Sequence, residues 1–215
     1  ACWGGNPNFA KAMAQAGVPA FSVVFWQTGL AGAMLLGLCA LRRIRVPLDW
    51  RHLRFYLFMG VISIGGPYAL MTTVAGQISA GYVAVVVLLA PLLTYVFALL
   101  ARIEHFTPLR AAGIAIGVGG AALLILPRGS LPDPALIGLA LAAFLVPAGY
   151  ASGNVFAEIG RPKGASSVAL ATGTMLAAAT AMLIAALATG TFFPVWQDPA
   201  GAGVLALAYA VVTTG

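Results

Sequence analysis

Charge is what this sequence mostly lacks. Only 7% of its residues are charged and 61% are hydrophobic, whereas a soluble domain carries roughly 25% charge. A water-soluble fold of this length could not hide so much apolar surface. The acidic residues Asp49, Glu104, Asp133, Glu158 and Asp198 sit between long apolar runs or at their ends, as do the lysines and arginines. No carboxylate is left at mid-membrane depth to carry a proton, and no Arg or Lys to grip a phosphate or carboxylate there. Histidine and cysteine are equally sparse. His52 and His105 have no second ligand at metal spacing, so no metal or other cofactor is expected. Cys2 and Cys39 lie in apolar runs and read as small packing residues, not as a disulfide. No glycine-rich loop follows a strand and no nucleophile–base pattern appears, so an enzyme is not expected. The net charge of +6 would suggest nucleic acid only if it formed one basic face. Here the basic residues punctuate apolar runs, and no nucleic-acid partner is expected.

Long apolar runs are what the sequence has. A bilayer core about 30 Å thick needs about 20 helical residues to cross it. Residues 79–101 and 108–126 are close to that length, uncharged in the middle, and separated by a short charged hinge. Backbone groups in lipid must be satisfied internally, so each run is expected to be a helix and the pair a transmembrane hairpin. Thr107-Pro108 fits the start of its second arm, with Thr as N-cap and Pro at N1. The remaining runs are 1–15, 21–41, 53–76, 134–157, 165–189 and 200–215. The first is too short to span, the last stops in mid-run, and the chain opens on Ala-Cys-Trp-Gly without an initiator Met or a basic leader. The chain thus reads as an internal piece of a longer protein.

Lys and Arg set the orientation. The connections after spans 2, 4 and 6 carry Arg42, Arg43, Arg45, Arg51 and Arg54, then Arg102 and Arg110, then Arg161 and Lys163. The other connections carry only Lys11 and Arg128. The positive-inside rule places loops 42–54, 102–107 and 158–164 in the cytoplasm, with the plasma (inner) membrane as the expected location.

The helices sort into two groups. Spans 1, 3, 4 and 6 contain helix breakers: Pro7; Gly65, Gly66 and Pro67; Pro91; Pro147. Such breaks at membrane depth are tolerated only against protein or a water-filled cavity. Spans 2, 5 and 7 have small residues every fourth position instead, including Gly29 and Gly37, Gly113 and Gly117, and Gly173. These ladders let helix backbones approach closely. The breaker spans also carry polar and aromatic residues at helical spacing: Trp3 with Asn6, Tyr68 with Thr72, Tyr150 with Asn154, and Tyr82 near one end of span 4. Buried amides and hydroxyls should face the bundle interior. They either line a substrate cavity or bond one helix to the next. Taken as a set they favour the cavity, with spans 2, 5 and 7 as its support.

Spans 1 and 6 resemble each other. Trp3-Gly-Gly-Asn-Pro-Asn-Phe9-Ala10 aligns with Tyr150-Ala-Ser-Gly-Asn-Val-Phe156-Ala157. With five spans per copy, the two copies would be inverted, a common transporter architecture. The chain resembles the EamA-type branch of the drug/metabolite transporter superfamily. The matching residues are Trp3-Gly4-Gly5-Asn6 with Phe9, Ala90-Pro91-Leu92, Glu104, and the glycine-rich stretch Gly113 to Gly120. His105 departs from the basic residue usual there. The resemblance implies an all-α polytopic helical bundle of two inverted five-helix repeats. Residues 1–126 would be the first repeat and 134–215 the first part of the second. It also implies a small-molecule substrate and a bilayer as partners. The expected function is secondary transport of a small neutral or zwitterionic metabolite by alternating access, in the direction of amino-acid or metabolite export. The alternatives are a non-transport membrane assembly subunit and an intramembrane enzyme. The sequence leaves open whether two copies pair as a homodimer.

Overall fold

The computed structural model describes residues 6–125 and 134–194, and these are helical with short connections. The helices are α1 (Asn6–Gln15), α2 (Ala20–Leu41), α3 (Trp50–Leu57), α4 (Gly66–Gln77), α5 (Ala80–Val87) and α6 (Ala90–Leu100). They continue with α7 (Pro108–Ile125), α8 (Ile137–Ala142), α9 (Leu145–Ile159) and α10 (Ser167–Ala188). Among the described residues five stretches are long and apolar enough to cross a membrane: Ala20–Leu41, Trp50–Gln77, Gly81–Leu100, Ile137–Ile159 and Ser167–Ala188. The 18-residue α7 adds a further apolar helix. The fold is therefore a polytopic helical bundle.

Three prolines shape the long spans, and the backbone accommodates them in two ways. Proline has no N–H, and its ring clashes with the carbonyl four residues earlier. Before Pro91 the helix stops at Val87 and restarts at Ala90. Before Pro147 it stops at Ala142 and restarts at Leu145, with the Val146 amide reaching back to the Ala143 carbonyl at 3.0 Å. Pro67 is met differently. The stretch Phe58–Gly65, between α3 and α4, winds as a π-helix, and the Gly66 amide bonds to the Val61 carbonyl. The wider turn keeps the span continuous although Pro67 cannot donate to Ser63. Such π segments are rare and concentrate at functional sites.

Close packing centres on this π segment. A Cβ at Gly60 would lie 2.7 Å from the Ala178 nitrogen and 2.8 Å from the Thr174 oxygen, so two backbones touch there. On its other side, Gly149 and Gly153 of α9 leave room for Pro67 and Ser63. Gly173 of α10 receives the ring of Tyr56, which is fully buried. Helix α10 also runs antiparallel to α2. Ser22 and Thr191 meet at one end (2.9 Å), and Cys39 and Thr172 at the other (3.4 Å).

These contacts correct the glycine ladders. In α2 the glycine pressed against α10 is Gly32, whose Cβ would lie 2.8 Å from the Leu176 side chain. Gly29 makes only ordinary contact, 3.8 Å to Ala179, and Gly37 faces open space. Gly113 and Gly117 are exposed, and a Cβ at either would meet nothing within 4 Å. Among the described residues α7 packs chiefly on α5 and α6, and nothing lies within 4 Å of a Cβ at Gly113, Gly117, Gly119 or Gly120.

Thr107 also departs from expectation. Helix α7 does start at Pro108, but the Thr107 hydroxyl donates to the His105 carbonyl at 3.3 Å, not into a cap. The Thr107 amide instead donates to the Tyr95 hydroxyl at 2.7 Å, which fixes the α6–α7 hinge. Side-chain caps occur at Ser79 and Ser166, whose hydroxyls accept from Tyr82 and Ala169 amides at 3.3 and 3.2 Å.

Candidate functional site

A cavity of about 860 Å³ opens where α2, the π segment, α4, α6 and α9 converge. The breaks place its polar groups. Ser63 sits at the π turn, Tyr68 follows Pro67 on α4, and Pro91 stands at the α5–α6 break. Tyr150 and Asn154 lie one turn apart on α9, past the break before Pro147. The rings of Tyr68 and Tyr150 meet edge to face at 6.1 Å and 73°, a favoured aromatic geometry. Apolar side chains, among them Met34, Leu35, Ile64, Leu88 and Met175, make up most of the remaining wall. Among the described residues no Asp, Glu, Lys, Arg or His lines it.

Asn154 stands at a junction. Its Nδ2 donates to the Thr94 Oγ1 of α6 at 3.2 Å. A second cavity of about 420 Å³ shares Ala90, Pro91 and Asn154 with the first. It runs past Thr94 and Tyr95 to Glu104 and Arg110. Those two form an ion pair, with Arg110 also over the Tyr95 ring at 5.9 Å. Both members of the pair are partly exposed, so it adds little stability on its own. Arg161 bonds to Ser167 at 2.7 Å.

The structure thus brings together Tyr68, Tyr150 and Asn154 of the expected set, with Pro91 beside them. Two others lie elsewhere. Thr72 is buried in the core, and its hydroxyl donates to the Tyr68 carbonyl of its own helix at 2.9 Å. Tyr82 donates its hydroxyl to the Ala140 carbonyl at 3.2 Å and so ties α5 to α8. Phe144 bonds to Leu141 instead of Ala140 at the break before Pro147, so Tyr82 serves a carbonyl that the break affects. Tyr82→Phe is expected to cost about 1 kcal/mol of stability and to leave transport unchanged. Thermal unfolding and a flux assay on the same preparation check both halves. Trp3 lies outside the described residues, as do the side chains of Asn6 and Pro7 and the whole of run 200–215.

Span 2, expected to be a supporting helix, contributes Gln27, Thr28, Ala31, Met34, Leu35 and Leu38 to the wall, and span 7 contributes Met175. The signal for Gln27 was in the sequence: an amide inside an apolar run is costly in lipid and is expected to face the interior. Ser63 had no comparable signal. A serine can return its hydroxyl to its own helix, and only the close approach of Gly153 shows that it faces another helix.

No curated protein matches the chain. No solved structure matches it either. The model of the EamA-like transporter family matches residues 1–126. That region is more than half of the 215 residues and contains the Pro91 break, Thr94, Glu104 and the glycine-rich α7. With apolar helices long enough to span a bilayer arranged around a cavity whose described lining is uncharged, the chain belongs to the EamA-like transporter family, a family of multi-pass membrane transporters.

Proposed function

We propose that the chain is the substrate-binding part of a secondary transporter for a small neutral or zwitterionic metabolite, working by alternating access as an exporter of amino acids or related compounds. One observation carries this reading: among the described residues, the cavity of about 860 Å³ has polar groups on its wall and no Asp, Glu, Lys, Arg or His. Tyrosine and amide side chains can orient a polar solute. A solute with net charge would find no counter-ion there and would lose its hydration. Tyr68 and Tyr150 would serve as walls, and Asn154 with Thr94 as the orienting groups.

The same reading assigns residues 134–215 to the start of a second, inverted repeat. The breaks before Pro91 and Pro147 support it. The first falls two to three residues and the second three to four residues ahead of its proline, and the two broken helices α6 and α9 pack on each other. Inverted repeats meeting at broken helices place a site near the midplane. The distribution of Lys and Arg supports a cytoplasmic side for the ends of α2, α6 and α9, and this reading takes the membrane to be the inner, plasma membrane.

The test is flux into proteoliposomes carrying the full-length protein, against a panel of neutral, zwitterionic, anionic and cationic metabolites. Saturable flux of neutral or zwitterionic compounds is expected, with net-charged ones excluded. A preference for anions or cations, or no flux of any solute above protein-free liposomes, would overturn the reading.

A further inference from the structure

The end of the bundle where α2 gives way to α3 carries an unusual surface. Arg42, Arg43, Arg45, Arg51 and Arg54 are all exposed. Asp49 is the only carboxylate between positions 42 and 54, and it is bonded to Nδ1 of His52. Among the described residues none of the five arginines has an ion-pair partner. Two large apolar side chains stand among them, Leu48 at 77% and Trp50 at 69% exposure.

The loop is built, not loose. Helix α2 ends with Arg43 in the left-handed region at φ 54, and the Ile44 amide closes onto the Cys39 carbonyl at 2.8 Å. Val46 packs on Phe55, Tyr56 and Leu170. His52 is buried at 8% exposure. Val46 and His52 hold the segment to the bundle, and the arginines are left outward. Arg51 and Arg54 share one face of α3, three residues apart.

The bias of basic residues to one side of a membrane accounts for charge here but makes no choice between Arg and Lys, and it asks for no aromatic. Every basic residue of this loop is Arg, whose planar fork matches phosphate oxygens in pairs. Tryptophan settles at the depth of lipid headgroups. We propose that this surface binds the phosphate headgroups of anionic phospholipids. The five arginines engage the phosphodiesters, while Trp50 and Leu48 sit at the boundary with the acyl chains. The inference rests on the membrane placement of the chain and not on the transport reading.

The parent chain is placed in nanodiscs of phosphatidylglycerol and phosphatidylcholine in equal parts, and the lipids it retains on release are read by native mass spectrometry. Phosphatidylglycerol should be retained in several-fold excess, and the excess should shrink as salt is raised. Arg42→Gln, Arg43→Gln and Arg45→Gln together should bring the ratio close to parity. Lys11→Gln, Arg102→Gln and Arg110→Gln together remove the same charge elsewhere and should leave the excess in place. No excess in the parent, or an equal loss in both triple variants, overturns the proposal. If the loop variant does not fold, the parent's salt titration decides, and an excess that survives high salt overturns it. Soluble glycerol phosphate separates the sources. An unchanged lipid excess supports a membrane surface, whereas displacement of the lipid would mark a site for free phosphate and overturn the lipid assignment.

Discussion

Gly60→Leu is expected to prevent the chain from folding to a monodisperse species in detergent, whereas Gly117→Leu should behave like the parent. The two glycines look alike in the sequence, each embedded in an apolar run. At Gly60 a Cβ would sit 2.7 Å from the Ala178 nitrogen, 2.8 Å from the Thr174 oxygen and 3.2 Å from the Ala177 carbonyl carbon. Every one of these atoms is backbone, so no rotamer change relieves the clash. Helix α10 would have to move as a body, and it is held on its other side by α2 through Gly32 and by the Cys39–Thr172 contact. Overpacking that side chains can absorb costs about 1–3 kcal/mol, and a displaced helix costs more. At Gly117 the added side chain meets open space. Size-exclusion profiles and melting temperatures of the two variants decide. A Gly60→Leu variant that elutes and melts like the parent would show that the π segment does not rest on α10 through its backbone.

Asn154→Leu is expected to lower transport by the full-length protein in proteoliposomes at least several-fold while folding survives. The substitution keeps the side-chain volume similar and removes the amide. Asn154 is exposed to the space where the two cavities join, and its side chain bonds to Thr94 across the α6–α9 contact. Replacing it removes about 1–3 kcal/mol of polar recognition without leaving an apolar group out of place in a membrane protein. Asn6→Leu, at a nearby position in the proposed first repeat, should act in the same direction. Thr180→Leu is the control, because Thr180 is exposed on α10 with its hydroxyl returned to the Leu176 carbonyl at 2.8 Å. Parental flux in both asparagine variants would make the two amides helix-bonding groups and move the substrate site elsewhere.

Much of this protein was legible in the sequence, for a physical reason. A bilayer forces each spanning segment to satisfy its own backbone, so an apolar run of sufficient length is a helix whatever lies beside it. The runs at 21–41, 53–76 and 165–189 became Ala20–Leu41, Trp50–Gln77 and Ser167–Ala188. The proline breaks were equally readable, since a missing N–H and a ring clash act along the chain itself. Glu104 found Arg110 because the hinge between them is short. What the sequence left undecided was which way each face of each helix points. Two glycines three residues apart on α2 differ only in the neighbour they meet. Gly32 is pressed against Leu176, while Gly29 makes ordinary contact with Ala179. Thr72 and Tyr82 had the chemistry of cavity residues, but their hydroxyls went to the Tyr68 and Ala140 carbonyls, and Gln27 and Ser63 took places on the wall. The choice between an α-helical break at Pro91 and a π-helical turn before Pro67 was also tertiary. The π turn lies between Gly149 and Gly153 on one side and the α10 backbone on the other, and these contacts hold the wider turn in place. Local rules act through bonds and can be read along the chain. Facing depends on the rotation of one helix against another, which is fixed by close contacts between residues far apart in sequence.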